Sequence, residues 1–257
     1  MLHIQKSTGA PGATILHWAG LIALIICLPS LAAADATLRP HTAVYKVKIS
    51  VLGGQLKTEL QETASGYVAT HVVRATGMSR MLSSGVISDR SEFDTAEDGV
   101  RPTRFMSRDT LSRDKKTTAV NFDWDSGEAH GTVNGEEIMS VMEDLAHDRV
   151  SIQYELMLDL LNGAPSAQYV LYDVDKLKTV MVSNIGSKTV KVPAGKFTAV
   201  GIQHQAVNSK RITTMWCVKE LDYLPVIIEQ HRKGKLRLRA VLKKYNPIPS
   251  QVPVKST

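Results

Sequence analysis

Tyr45-Lys46-Val47-Lys48-Ile49-Ser50-Val51-Leu52-Gly53-Gly54-Gln55-Leu56-Lys57-Thr58-Glu59-Leu60-Gln61 is the stretch that decides the fold class. Tyr45, Val47, Ile49 and Val51 fall on one face, and Lys46, Lys48 and Ser50 fall on the other. A period of two with one apolar face is a half-buried strand. Gly53 and Gly54 read as a hairpin turn. Beyond them Leu56, Thr58 and Leu60 alternate with Lys57, Glu59 and Gln61, as a returning strand should.

The same pattern repeats outward. Ser65 and Gly66 mark a turn before Tyr67 to Ala75, strand signals resume near Val86, and Glu97, Asp98 and Gly99 punctuate the chain. Pro102 opens an extended segment toward Ser107. Thr118, Val120, Phe122 and Trp124 share a face, Asp125 to Gly127 turn, and Asn134-Gly135 supplies tight-hairpin chemistry. One interruption differs in period. From Asp148 to Asn162, Val150, Tyr154, Met157 and Leu161 recur at helical spacing, with Asp148 as a cap and Gly163 and Pro165 as stop signals.

Strands then return at Tyr169–Asp173, Leu177–Asn184, Ser187–Val192, Phe197–Gln205, Thr213–Val218, Val226–His231 and Leu236–Leu242. Pro247, Pro249 and Pro253 should end the sheet in a loose tail. The expected fold is mainly β: an antiparallel sheet curled into an open barrel or spiral, with one amphipathic helix near the middle. A single domain over residues 35–245 is expected, flanked by a leader at 1–34 and a Pro-rich disordered tail at 246–257. The helix is the place where a seam between two sheets would fall.

The leader sets the compartment. His3, Lys6 and His17 precede an almost wholly apolar run from Trp18 to Leu31, and Ala32-Ala33-Ala34 suits a signal peptidase that would leave Asp35 first. A retained anchor is the rival, although a spanning helix needs about twenty apolar residues. Lipidation at Cys27 would require smaller residues than Leu24, Ile25 and Ile26 before it. Cleavage implies a periplasmic protein. The formal charge of +6 drops by one with Lys6, and Cys217 is left without an intramolecular partner. Between Trp216 and Val218 it reads as a buried thiol, with reactivity or dimerisation as the alternatives.

Several of these stretches also carry a resemblance. Val190-Lys191-Val192-Pro193-Ala194-Gly195-Lys196-Phe197-Thr198-Ala199-Val200, then Trp216, then Tyr223-Leu224-Pro225-Val226-Ile227-Ile228-Glu229 and Gly234 run in a characteristic order. Ahead of them come the tyrosine strand with Gly53 and Gly54, Gly66-Tyr67, Pro102 and Phe122-Asp123-Trp124. Together they resemble the bacterial exported family catalogued as domain of unknown function 3108, over most of the mature chain. That family's helix usually opens on Asp-Pro-Leu-Ser, and Asp148-Arg149-Val150-Ser151 here lacks the proline. The resemblance implies a periplasmic or secreted, mainly β protein with no agreed activity and no catalytic residues to carry over. Turn geometry at Pro193 and Gly195 explains the motif without a site.

Enzyme signatures are absent: no Gly-x-Ser-x-Gly elbow, no phosphate loop, no His-Glu-x-x-His helix and no Cys-x-x-Cys pair. No cofactor, metal site or catalytic residue is expected. His41, His71, His130, His147, His204 and His231 are scattered and read as surface histidines. Cys217 beside His204 is a candidate hydrolase pair. Asp123 and Asp125 around Trp124 could serve a sugar site, or be solvated aspartates beside a core indole.

One charged feature rises above this background. Lys233, Lys235, Arg237 and Arg239 recur every second residue, opposite Leu236, Leu238 and Ala240, and Lys243 continues the register. The stripe spans about 20 Å. It would attract anionic lipid, lipopolysaccharide or an acidic envelope protein. Nucleic acid is not expected in that compartment. The competing explanation is an edge strand guarded against aggregation. Met78, Met81, Leu82, Met139, Val141 and Met142 would suit an adaptable apolar ligand or merely complete the core. The expected function is therefore a non-enzymatic envelope-binding protein, with a hydrolase of an envelope polymer and an assembly factor using sheet edges as alternatives.

Overall fold

The structure, a computed structural model, describes residues 37–249 apart from 51, 83, 164, 174 and 175. The leader and the chain after Pro249 lie outside the described residues. Fifteen strands and two helices follow one another: β1 (His41–Ile49), β2 (Leu52–Thr63), β3 (Gly66–Ala75), α1 (Ser79–Leu82), β4 (Val86–Ala96), β5 (Gly99–Asp109), β6 (Lys116–Asp123), β7 (Glu128–Val133), β8 (Glu136–Val141), β9 (Ala146–His147), α2 (Ser151–Leu161), β10 (Gln168–Asp173), β11 (Lys176–Val192), β12 (Gly195–Ala206), β13 (Arg211–Val218), β14 (Leu224–Arg232) and β15 (Lys235–Pro247).

All fifteen strands form one sheet, in the order β8-β7-β6-β5-β4-β3-β2-β1-β15-β14-β13-β12-β11-β10-β9. Every hairpin pairs neighbours in sequence, so local turn chemistry builds two meanders. Pairing of the first strand with the last then joins them at the centre, with Lys48 opposite Arg239 and His41 opposite Pro247. The ends of this order are β8 and β9, so the sheet stays open. It curls nonetheless: β9 lies against β5. The Ala194 N–H at the tip of the β11–β12 hairpin donates to the Leu242 carbonyl at 3.2 Å, although β13 and β14 lie between that hairpin and β15 in the sheet order.

The curl closes around α2. Asp148 caps it: its carboxylate accepts the N–H groups of Val150 at 2.7 Å and Ser151 at 3.0 Å, and the Ser91 hydroxyl donates to it at 2.5 Å. The missing family proline therefore leaves the cap intact. Gly163, at φ 126°, lets the chain leave. Tyr154, Met157 and Leu158 pack with Tyr45, Phe93 and Phe105 of the N-terminal strands. Leu156 and Leu160 pack with Tyr169, Ile202, Met215 and Cys217 of the C-terminal strands. A helix enclosed from two sides needs apolar residues around most of its circumference, a wider face than the stripe expected from its spacing.

Two sequence expectations change. Gly53 and Gly54 are not the turn: they sit in β2 opposite Lys48 and Val47, and Ser50, at φ 54°, takes the strained position instead. The glycines are needed for close approach. A side chain at Gly54 would begin 3.2 Å from the Arg74 carbonyl, and Gly53 receives the Thr76 N–H on its carbonyl and donates its own N–H to Ser79 Oγ. Likewise Pro247 does not fall beyond the sheet. It closes β15, where a missing N–H costs least, and Ile248 N–H donates to the Pro40 carbonyl at 2.9 Å.

Candidate anion-binding face

The basic strand β15 is flanked by β1 and β14, so it is central and the edge-protection explanation falls. Its cations split by environment. Lys233 and Gly234 form a hairpin turn with φ values of 51° and 73°, which puts Lys233 at the tip, off the strand face. Arg239 is held by Glu229 of β14 at 3.3 Å. Lys235 and Arg237 are exposed and make no ion pair among the described residues.

Pairing with β1 enlarges the patch. Because Lys48 stands opposite Arg239 and Lys46 opposite Val241, both lysines project on the face of Arg239. The β14–β15 register slips at Arg237, so that Leu236 stands opposite His231 and Lys235 opposite Arg232, and the every-second-residue stripe expected from the sequence is broken there. Arg74 of β3 joins the same row through Gln55. Lys46, Lys48 and Arg74 are exposed, and like Lys235 and Arg237 they have no acidic partner among the described residues. Lys57, two residues beyond Gln55 on β2, is neutralised by Glu59 at 2.8 Å.

At this end of the sheet an apolar rim is exposed, with Ile49, opposite Leu238, leaving the sheet on the face away from Lys48. Ile49 and Leu52 flank the β1–β2 turn and Leu236 follows Lys235 at the start of β15, all three exposed. The contacts of Gly53 with Thr76 and Ser79 bring α1 alongside, where Met78 and Met81 are 85% and 86% exposed on either side of Arg80. Cations with protruding apolar side chains at the same end of the sheet suit a surface with anionic head groups over an apolar layer. Met139 and Val141 are exposed too, but at β8, whereas Met142 is buried in the core. The side chain of Leu82 lies outside the described ones.

The candidate catalytic groups are not assembled. Cys217 is fully buried among apolar neighbours, burial pushes its thiol up to about 12, and it pairs with Val200, four residues from His204. That offset is about 13 Å along a strand. Asp123 accepts the N–H groups of Asp125 and Ser126 at its turn, and these bonds hold its carboxyl below the usual range. Trp124 donates its indole N–H to the Pro102 carbonyl at 2.8 Å. Neither aspartate faces the other across a cleft.

Most of the histidines are not at the surface, contrary to the sequence reading. His41 and His147 are buried and His71 and His204 half-buried; burial lowers all four, the last three of His71, His147 and His204 to about 4. His71 belongs to a polar row that sequence reading missed. Thr58, His71, Asp89, Ser107 and Thr118 stand directly opposite one another on five successive strands, facing inward. Arg149 closes over this row, donating to Asp89 at 2.7 Å and to Ser107. In β4 both faces are polar, so alternation carried no signal. Glu155 was missed as well: it is buried, accepts the Val100 N–H at 2.6 Å, and burial raises its carboxyl to about 7.

The motif segments meet one another in space. Tyr45 Oη donates to the Pro225 carbonyl at 2.9 Å, and Pro193 and Ala194 form the hairpin tip against β15. Comparison with known proteins agrees with this architecture. The sequence profile of a family described as protein of unknown function, DUF3108, matches residues 42–239. A β-barrel-like protein of domain of unknown function DUF1849 from Brucella abortus, known from its crystal structure, superposes with a TM-score of 0.57 at 13% identity, covering 84% of this chain and 100% of that one. A protein assigned as exported, with a YmcC-like fold, from Bacteroides fragilis covers 82% of this chain and 97% of its own at 12% identity, with a TM-score of 0.32. No curated protein matches the chain. At these identities the Brucella likeness shows the fold alone.

Proposed function

The chain belongs to the DUF3108 family of proteins of unknown function, and from that premise we propose that it is an exported, non-enzymatic binding protein of the cell envelope that docks on anionic lipid surfaces. One observation carries the reading. The β1–β15 pairing sets Lys46 and Lys48 on the face of Arg239, and the exposed Lys235 and Arg237 continue β15 past it, all four unpaired cations lacking acidic partners among the described residues, toward the sheet end where Ile49, Leu52, Leu236, Met78 and Met81 are exposed. The leader read from the sequence supports a periplasmic location. Among the described residues no helix is long and apolar enough to cross a membrane, and the proposed contact is peripheral.

Each cation brought near an anionic leaflet contributes about 1 kcal/mol, and the contact is screened over about 8–10 Å. The hydrolase alternative has no observation in its favour, since neither Cys217 nor the Asp123 turn is arranged for catalysis. Sedimentation with vesicles tests the proposal. Binding to vesicles rich in phosphatidylglycerol, loss of binding as salt is raised, and little binding to phosphatidylcholine vesicles are expected. Equal binding to both compositions would refute it, and binding to neither would direct attention to an acidic protein partner instead.

A further inference from the structure

The second site lies at the other end of β15, where the β11–β12 hairpin tip crosses the strand. A cavity of about 370 Å³ opens there, walled by Phe197, Leu221, Leu242 and Tyr245, with Pro193 and Ala194 of the tip on one side and Lys243 and Lys244 at its rim. That volume lies within the range of small-molecule sites, which are mostly apolar with a few placed polar groups.

Three local features build it. The β1–β15 register slips between Val44 and Tyr45, so that Tyr45 opposes Leu242 while Val44 opposes Lys244, leaving Lys243 as the extra residue. Such a bulge re-aims side chains; consecutive lysines that would point to opposite faces of a regular strand both line the cavity. Next, Gly195, at φ 150°, leaves room for the Phe197 ring, whose Cζ would stand 3.1 Å from a side chain there. Last, Asp222, a nearby acid, is taken up by the Arg39 guanidinium in a two-bond ion pair, while Lys243 and Lys244 have no acidic partner among the described residues. The rim is therefore positive, and Phe197, Leu221 and Tyr245 are the partly exposed apolar side chains that line the cavity.

We propose that this cavity binds a single-chain amphiphile with an anionic head, its chain against Phe197, Leu221 and Tyr245 and its head at Lys243 and Lys244. Turn geometry accounts for Gly195; the cavity also gives Pro193, Ala194 and Phe197 of the same motif a common task. Lys46 of the docking face reaches the cavity's end of β15, opposite Val241, but Lys235 and Arg237 lie six or more residues from Lys243, so substitutions at the two ends test the two sites separately.

Calorimetric titration of the mature protein with monomeric decyl phosphate tests it, with decanol and inorganic phosphate as the chain without the head and the head without the chain. Saturable one-to-one binding of decyl phosphate is expected, at least about tenfold tighter than either control. Lys243→Gln with Lys244→Gln, both at the surface, should weaken it at least about tenfold. Phe197→Ala should weaken it too, with an unchanged circular dichroism spectrum reporting that the fold is kept. Lys235→Gln with Arg237→Gln should leave it unchanged. No saturable binding, inorganic phosphate binding as tightly as decyl phosphate, wild-type affinity in the folded double lysine variant, or loss of affinity only in the docking-face variant would each overturn the proposal.

Discussion

Glu155 links the helix to the sheet, and its substitution by glutamine gives a worked test of the packing described. Its carboxyl fills the space left by Gly99, where a side chain would begin 2.5 Å from Oε1, and it accepts the Val100 N–H. Burial raises the group from 4.5 to about 7, and the charges of Asp159 and Asp98 add to the shift. A carboxyl raised on folding stabilises the native state fully below its unfolded value, and that contribution is lost as pH rises through the folded value. Between about pH 4.5 and 7 the wild type should therefore lose about 3 kcal/mol, at about 1.4 kcal/mol for each pH unit of displacement. Glu155→Gln keeps an acceptor for Val100 and never ionises. Urea unfolding of both proteins at pH 5 and pH 9 isolates this group, because every other titration is common to the pair. The variant should gain about 3 kcal/mol relative to wild type from the lower pH to the higher. A stability difference independent of pH would refute the burial of an acid that resists ionising.

Gly201→Ala should be destabilising by about 1–3 kcal/mol through overpacking, since a side chain there would lie 2.6 Å from Ile185 Cγ1 and 2.8 Å from the Trp216 ring; thermal unfolding followed by tryptophan fluorescence reads this, and an unchanged midpoint would mean that the ring is not seated on the glycine. Cys217, fully buried with its thiol pushed up to about 12, should react with a thiol-specific chromogenic disulfide only in denaturant. Immediate stoichiometric labelling of the native protein at pH 8 would contradict its position.

What could be read from the sequence follows from where alternation is clean. Tyr45 and Val47 alternate with lysines, so β1 was legible, and Asn134-Gly135 fixed its hairpin because both residues adopt positive φ. Alternation continued through Ser50, so nothing marked that turn and the adjacent glycine pair was taken for it. The curl was expected from strand number alone, but the β1–β15 pairing was not, because no local signal joins residues two hundred apart. That pairing decides the site: it adds Lys46 and Lys48 and spreads the cations of one strand over several, while the β14–β15 hairpin sets Arg239 opposite Glu229. The polar row from Thr58 to Thr118 was hidden for a related reason, since a buried serine or aspartate looks like a solvated one until its neighbours are placed.

The docking face is tested most directly by reversing its unpaired charges. The variant Lys48→Glu with Lys235→Glu and Arg237→Glu leaves the Arg239–Glu229 pair in place, and all three side chains are at the surface, so its melting curve should report a folded protein. At about 1 kcal/mol for each lost cation, its partition onto phosphatidylglycerol vesicles should fall about 100-fold or more. A folded variant that sediments with those vesicles as the wild type does would contradict the account.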